Sequence, residues 1–495
     1  MTQNQDEINK QRGFFNKIKL SLKSINYRLF LALLLTGLIP TVYTTLRIFF
    51  LGQMDDAWSF SIASQMQWMH LLYEIIQEGL ILPLFFFIGK AFADRQKVLA
   101  GEMTSEEAEK NRNNLANMIR TGLIIVFGAF TLLSLGVIIF ADPLVRFMGQ
   151  DVAIINETVT YIRLEAVANI FNALVRFVLV VLVTIKKDKY LYFMLILKMV
   201  LTVLGDTFLI SSLAISVQMG VNGIAITNII VNAFLFLLAI LILYKEKLPL
   251  FKKERLSFVW TKGWAKIGGI SGLESLVRNL FFMLMIVRMV NMVGEQGTFW
   301  VTNNFLWGWL LLPVLQLGEL IKRDCGEHNK GAIKQKTLGY LTLTTIFAII
   351  WLVSIPLWQP FFRGVLQLDN YQDIFIIALI SVGFYVVFAF NHVVDSIFYG
   401  TGKTQYMLAQ ALITNIVYYG IAFILYLTGV FVPTLTGIAL MFAIGMAFDA
   451  IVTFVLFGWM LKKKKISLIA DIGTLEVGSV KSEQELEEVS DSSDN

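Results

Sequence analysis

Charged side chains stand inside apolar runs of this sequence at Arg47, Glu74, Glu78, Arg163, Glu165, Arg176, Lys198, Asp206, Glu274, Arg278, Arg288, Glu319, Asp395 and Asp449. Each costs roughly 2.5–3.5 kcal/mol in the middle of a bilayer, so each is a candidate for ion or substrate handling or for pairing inside a bundle. Glu74 and Glu78 are four residues apart and share one helix face. Such close acids repel when both are ionised, which suits proton carriage; the alternative is that they neutralise an Arg of the first span and hold the bundle together. Glu274 and Arg278 have the same spacing and read as a pair with each other. Arg47, Arg278 and Arg288 carry planar donor forks that suit carboxylate or phosphate if they face a cavity, while the alternative for Arg47 is snorkelling toward headgroups. Gln65, Asn303 and Asn304 are costly in lipid and read as cavity-lining hydrogen-bonders. Trp68 and Trp309 either line an adaptable pocket or pack helices.

Other chemistry is poorly supplied. One cysteine, Cys325, and three scattered histidines, His70, His328 and His392, exclude a disulfide framework and leave no Cys/His metal motif. The stretch GTGKT at 400–404 lacks the glycine that a phosphate-binding loop needs five residues before its last Gly, since position 397 is Ile397. No Ser/His/Asp arrangement stands outside the apolar runs, so the reading is not an enzyme, with no cofactor beyond Na⁺ or H⁺ as a possible coupling ion.

The elements that must position these residues are membrane spans. Of 495 residues 56% are apolar and only 16% charged, against about a quarter charged in soluble proteins, so lipid is the main solvent. Roughly 20 apolar residues cross a bilayer. Spans are expected near 28–50, 60–92, 118–140, 159–183, 190–213, 217–243, 263–292, 297–322, 336–357, 373–398, 405–429 and 431–461. The division is a basic arm (1–27), a six-helix half (28–243), a linker (244–262), a second half (263–461) and a polar tail (462–495), read as disordered. Basic residues before the first span (Lys10, Arg12, Lys17), after the second (Lys90, Arg95, Lys97), after the fourth (Lys186, Lys187, Lys189) and after the sixth alternate with loops holding only Arg146 and Arg363. Lys and Arg prefer the cytoplasmic side, so both termini are expected there, in a plasma (cytoplasmic) membrane.

The chain also repeats itself. A shift of 241 residues places Arg47 on Arg288, Trp68 on Trp309 and Glu78 on Glu319, and GIAI at Gly223 matches GIAL at Gly437. An even number of spans precedes the second copy, so the repeat is parallel.

Several blocks in order resemble the multidrug and toxic compound extrusion (MATE) family, within a superfamily that includes polysaccharide and lipid-precursor flippases. They are TLRIFFLGQMDDAWSFSIASQ (Thr45 to Gln65), IKKDKYLYFMLILKMVLTVLGDTFLI containing Asp206, GVNGIAIT (Gly220 to Thr227), IGGISGLES opening the seventh span, and DSIFYGTGKTQYMLAQALITN (Asp395 to Asn415). The resemblance implies an all-α polytopic membrane protein with 12 transmembrane helices in two pseudo-symmetric six-helix bundles, a V-shaped transporter. It also implies antiport of small amphipathic compounds or drugs by alternating access, driven by Na⁺ or H⁺. Coupling candidates are then Asp206, Glu78, Glu74, Glu274 and Asp395. Cavity candidates are Arg47, Arg288, Glu319, Arg278, Gln65, Asn303, Asn304, Trp68 and Trp309. The sequence departs from the family where Arg47 replaces a first-helix acid five residues before Gly52, and where Arg278 stands near an acid of the seventh helix. Arginines there favour the alternative, a flippase or exporter of an anionic or lipid-linked substrate. Expected partners are membrane lipids and a small-molecule substrate, with no nucleic acid, and the expected state is a monomer.

Overall fold

The computed structural model describes residues 15–54, 58–81, 83–84, 87–89, 92, 105–185, 187, 189–246, 248, 256–464 and 466, with backbone alone at 105–114, 327–330 and 404. The regular structure among the described residues is helical, with no strand. A helix satisfies every backbone polar group within its own segment, which crossing lipid demands. In chain order the helices are α1 (Tyr27–Gly52), α2 (Ser59–Ala63 and Met66–Leu80), α3 (Ser105–Ile139), α4 (Ile155–Thr184), α5 (Lys189–Leu209) and α6 (Val221–Lys245). The second half holds α7 (Thr261–Met292), α8 (Gln296–Leu310 and Leu312–Gly326), α9 (Gly331–Val365), α10 (Tyr371–Gly400), α11 (Gln405–Leu427) and α12 (Leu435–Lys463). Among the described residues ten of these are long and apolar enough to cross a membrane, and α8 makes eleven when its halves, bent by 54°, count as one. The span expected near 60–92 is α2, whose continuation past Leu80 falls largely outside the described residues, as do the acidic tail and the first basic residues.

Local chemistry sets the ends. Asn26 caps α1 by accepting from the Leu29 amide, and Thr434 caps α12 by accepting from Gly437. GTGKT is the turn between α10 and α11, where Gly402 takes a positive φ of 68°. Helical backbone runs without interruption from Leu312 to Pro360, yet Asp324 meets Lys336 at 2.8 Å. Twelve residues of straight helix would hold them about 18 Å apart, so the chain folds back between α8 and α9.

The bundle interior is apolar and close-packed around α4, where Tyr161, Ile162, Phe177, Val178, Val181 and Leu182 are fully buried. Large apolar side chains such as Leu132, Leu241, Val353 and Val455 point outward, as expected of a surface whose solvent is lipid. The first and last described segments meet at one end of the bundle: Ile25 shares an apolar cluster with Met460 and Ile466, and Ser21 Oγ accepts from the Gly339 amide.

The halves meet along two seams. In one, α1 runs beside α8, with Thr41 donating to the Gly308 carbonyl and Trp309 Nε1 donating to Thr45. In the other, α2 runs beside α7. Toward the terminal end Gly79 faces Gly268 and Gly272, so close that a Cβ on Gly268 would stand 2.0 Å from the Gly79 carbonyl oxygen. Toward the opposite end Gln65 and Asn291 exchange two amide hydrogen bonds of 3.0 Å.

Candidate ion and substrate sites

The charges predicted from sequence separate into three clusters. The first lies within the N-terminal half. Arg47, only 5% exposed, donates from Nε to Asp206 Oδ2 at 2.8 Å and from Nη2 to Asp206 Oδ1 at 3.2 Å. Its Nη2 also reaches Asn228 Oδ1 at 3.2 Å, and the Asn228 amide donates to Glu165 Oε1 at 2.6 Å. Lys198 closes the cluster from α5 by donating to Asn172. Helix register explains the convergence. Arg47 lies in the last turns of α1, beside the few other residues of that helix that are buried, including Ile48 and Leu51. Asp206 ends the buried stripe of α5. A bidentate guanidinium-carboxylate pair supplies the geometry that makes a buried charge tolerable. Arg47 is therefore neither snorkelling nor lining an open cavity, and Asp206, expected as an ion carrier, is already engaged by a fixed cation.

The second cluster lies within the C-terminal half. Asp449 on α12 accepts from Asn391 (2.8 Å), Gln410 (2.7 Å) and Thr414 (2.8 Å). Thr414 opens a π-helical segment, Thr414–Tyr419, whose wider turn re-aims side chains toward the bundle interior. Asp395, one turn beyond Asn391 on α10, has an Oδ1 buried without a hydrogen-bond partner among the described residues. Neither carboxylate is ion-paired among those residues, in contrast to Asp206. Asp449 stood among the charges read inside the apolar runs but was not named as a coupling candidate, and its donors Gln410 and Thr414 were not singled out; the signal was an acid inside the last apolar run with Asn391 and Gln410 on neighbouring spans.

The third cluster bridges the halves along the α2/α7 seam. Arg278 Nη2 donates to Glu78 Oε1 at 3.0 Å, and Asn279 donates to Glu74 and to the Leu71 carbonyl. Glu274 stands 3.8 Å from Arg278 Nε, a looser contact than the expected intrahelical pair. Thus Glu78 is neutralised by an Arg of α7, not of the first span. The Arg278 side chain is 43% exposed, and Arg176 of α4 is exposed with Glu74 and Glu78 as its acidic neighbours.

The remaining candidates scatter. Arg288 donates to the Phe147 carbonyl and lies over the Phe147 ring, tying α7 to the α3–α4 connection. Glu319 pairs with Lys322 at 2.7 Å on an exposed face. The repeat-related pairs Arg47/Arg288 and Glu78/Glu319 thus have different partners in the two halves. Gln65 is fully buried, and Trp68 is sealed in the core, donating to Gln65. Asn304 and Trp309, with Thr41, Thr45, Phe305 and Trp307, line a cavity of about 220 Å³ between α1 and α8. Asn303 sits behind it, accepting from Tyr385. Among the described residues no group of three or more His, Cys, Asp or Glu side chains is arranged to hold a metal ion.

This arrangement, a helical membrane protein of two halves with a polar cluster in each and a third between them, belongs to a recognisable class. Residues 103–208 match the MatE family model. No curated protein sequence matches the chain. Solved structures match over nearly its whole length. An inward-facing multidrug resistance MATE family transporter of the MOP superfamily is 16% identical over 86% of this chain and 99% of its own, with a TM-score of 0.64. An outward-facing structure of such a transporter is 15% identical over 90% and 98%, also with a TM-score of 0.64. A MOP superfamily transporter from Pyrococcus furiosus, described as having a binding pocket of reverse polarity that suggests a different function, is 15% identical over 91% and 99%, with a TM-score of 0.62. The chain carries a MatE domain and has the fold of the MATE transporters of the MOP superfamily.

Proposed function

We propose that this protein is a secondary transporter in the plasma membrane, with both termini cytoplasmic, that exports small amphipathic compounds by alternating access coupled to Na⁺ or H⁺. The observation that carries the coupling is Asp395: a carboxylate oxygen buried without a partner, beside an Asp449 already supplied with three donors. A buried acceptor left unmade is costly, and a proton or a small cation is what relieves it. Alternating access is supported by the seams. The contacts along the α2/α7 seam include an amide exchange, an ion pair and glycine contacts, each of which can part and re-form. Export of a fluorescent substrate from proteoliposomes, measured while the Na⁺ and H⁺ gradients are collapsed one at a time, tests this reading. One collapse should abolish export; indifference to both would refute coupling.

A second reading, an exporter or flippase of anionic or lipid-linked substrates, is favoured by Arg176 and Arg278. Both are guanidinium groups at least partly open beside the seam, and the Arg278 Nε has no hydrogen-bond partner among the described residues. Arg47, sequestered by Asp206, contributes nothing to it. The Pyrococcus furiosus neighbour with a pocket of reverse polarity is consistent with this reading. Comparing cationic dyes with phosphate- or carboxylate-bearing lipids in the same vesicles separates the two. Loss of anion transport in Arg176→Ala and Arg278→Ala, with no dye export by the unaltered protein, would select the second.

A further inference from the structure

The two bundle interiors differ in charge. The N-terminal cluster holds two acids, Asp206 and Glu165, and two bases, Arg47 and Lys198; Asn228 links the Arg47–Asp206 pair to Glu165, Lys198 donates to Asn172, and Tyr43, Tyr161 and His70 are titratable neighbours. It is formally neutral with nothing added. The C-terminal cluster holds Asp395 and Asp449 with amide and hydroxyl donors and no paired base among the described residues. Arg47 is also placed as a bound ion would be, at the meeting point of three helices: its guanidinium, on α1, contacts oxygens from α5 and α6.

We propose that the Arg47 guanidinium is a tethered cation that permanently fills a monovalent-cation pocket formed by Asp206 and Asn228 and backed by Glu165. Filled in this way, the N-terminal half binds no exchangeable ion, and any coupling, on the reading proposed above, is confined to the C-terminal half. Cutting the side chain back to Cβ leaves hard oxygen ligands around a hole the size of a guanidinium, which a small free cation fits by charge and a free guanidinium ion by shape.

The test uses thermal unfolding of the full-length protein in detergent, in chlorides of Na⁺, guanidinium at millimolar concentration, and choline as the ionic-strength control. It is done in an Asp395→Asn/Asp449→Asn background, so that binding in the C-terminal half does not contribute and failure of the coupling reading leaves the result intact. In that background the protein with Arg47 should show no cation selectivity. Arg47→Ala should lower Tm by about 5 °C or more, because an uncompensated carboxylate is left buried. Na⁺ or guanidinium, but not choline, should restore it saturably. Arg47→Lys, and the charge-neutral Arg47→Ala/Asp206→Asn, should be stable in choline and gain nothing from either ion. If Arg47→Ala is recovered folded only when membranes are solubilised with Na⁺ or guanidinium, the result is the same. Equal behaviour of Arg47→Ala in all three salts overturns the proposal. So does selective stabilisation with Arg47 present that is lost in Asp206→Asn, or failure of all three Arg47 variants in every salt.

Discussion

At the scale of the residue, the two acids of the C-terminal cluster should respond differently to one kind of change. Asp395→Asn keeps shape and removes the chargeable group, so gradient-driven export should fall to background while the protein remains folded; Asp449→Asn should fall likewise and also lose stability, since an amide puts an NH2 donor where one of two acceptor oxygens stood among three donors. Flux assays paired with Tm measurements separate these effects. Outside the spans, Glu246 follows α6 and is held below the usual carboxylate range by its bond to Lys187, at 2.7 Å, and by the Tyr190 hydroxyl, also at 2.7 Å. A depressed acid stabilises above its ordinary value of 4.5 and loses that contribution as pH falls through its lower folded value. Amide protection at Lys187 and Tyr190 should therefore be full at pH 7, fade below pH 4.5, and be weakened at all pH values in Glu246→Gln. Arg47, Asp206, Asp395 and Asp449 were visible in the sequence as costly charges, but their partners were not. Arg47 and Asp206 are 159 positions apart, and nothing in spacing says that two distant helix faces meet.

At the scale of the element, close approach of α2 and α7 depends on missing side chains. A Cβ at Gly268 would collide with the Gly79 carbonyl, whereas one at Gly269 meets nothing within 4 Å. Gly268→Ala should cost about 1–3 kcal/mol and weaken the seam. Gly269→Ala should be neutral or slightly stabilising, since alanine is the better helix former. Thermal unfolding of the two single variants checks the contrast. The sequence offered both glycines equally in IGGISGLES; only the rotation of α7 against its neighbour distinguishes them. The π-helical segments Met283–Val287, Leu306–Leu310, Phe361–Val365 and Thr414–Tyr419 were likewise illegible, because one extra residue in a turn leaves the apolar pattern almost unchanged. All four lie in the C-terminal half, the half that carries the unpaired acids.

At the scale of the molecule, transport by rocking requires both ends of the α2/α7 seam to separate in turn. Glu78→Cys with Arg278→Cys, joined by a short thiol cross-linker in a Cys325→Ala background, should arrest export, and so should Gln65→Cys with Asn291→Cys. Cleaving the linker should restore both. Free export with either pair joined would exclude rocking about this seam. The sequence by itself determined that the chain crosses a membrane many times as helices and that a defined set of charges lies inside the apolar runs, because apolar length and the insertion cost of an ion are properties of local sequence. Tertiary structure alone decided which charges neutralise one another. It buried Arg47 against Asp206, brought Arg278 to Glu78 across the seam, and left one oxygen of Asp395 without a hydrogen-bond partner among the described residues, because pairing depends on helix rotation and on contacts between distant segments.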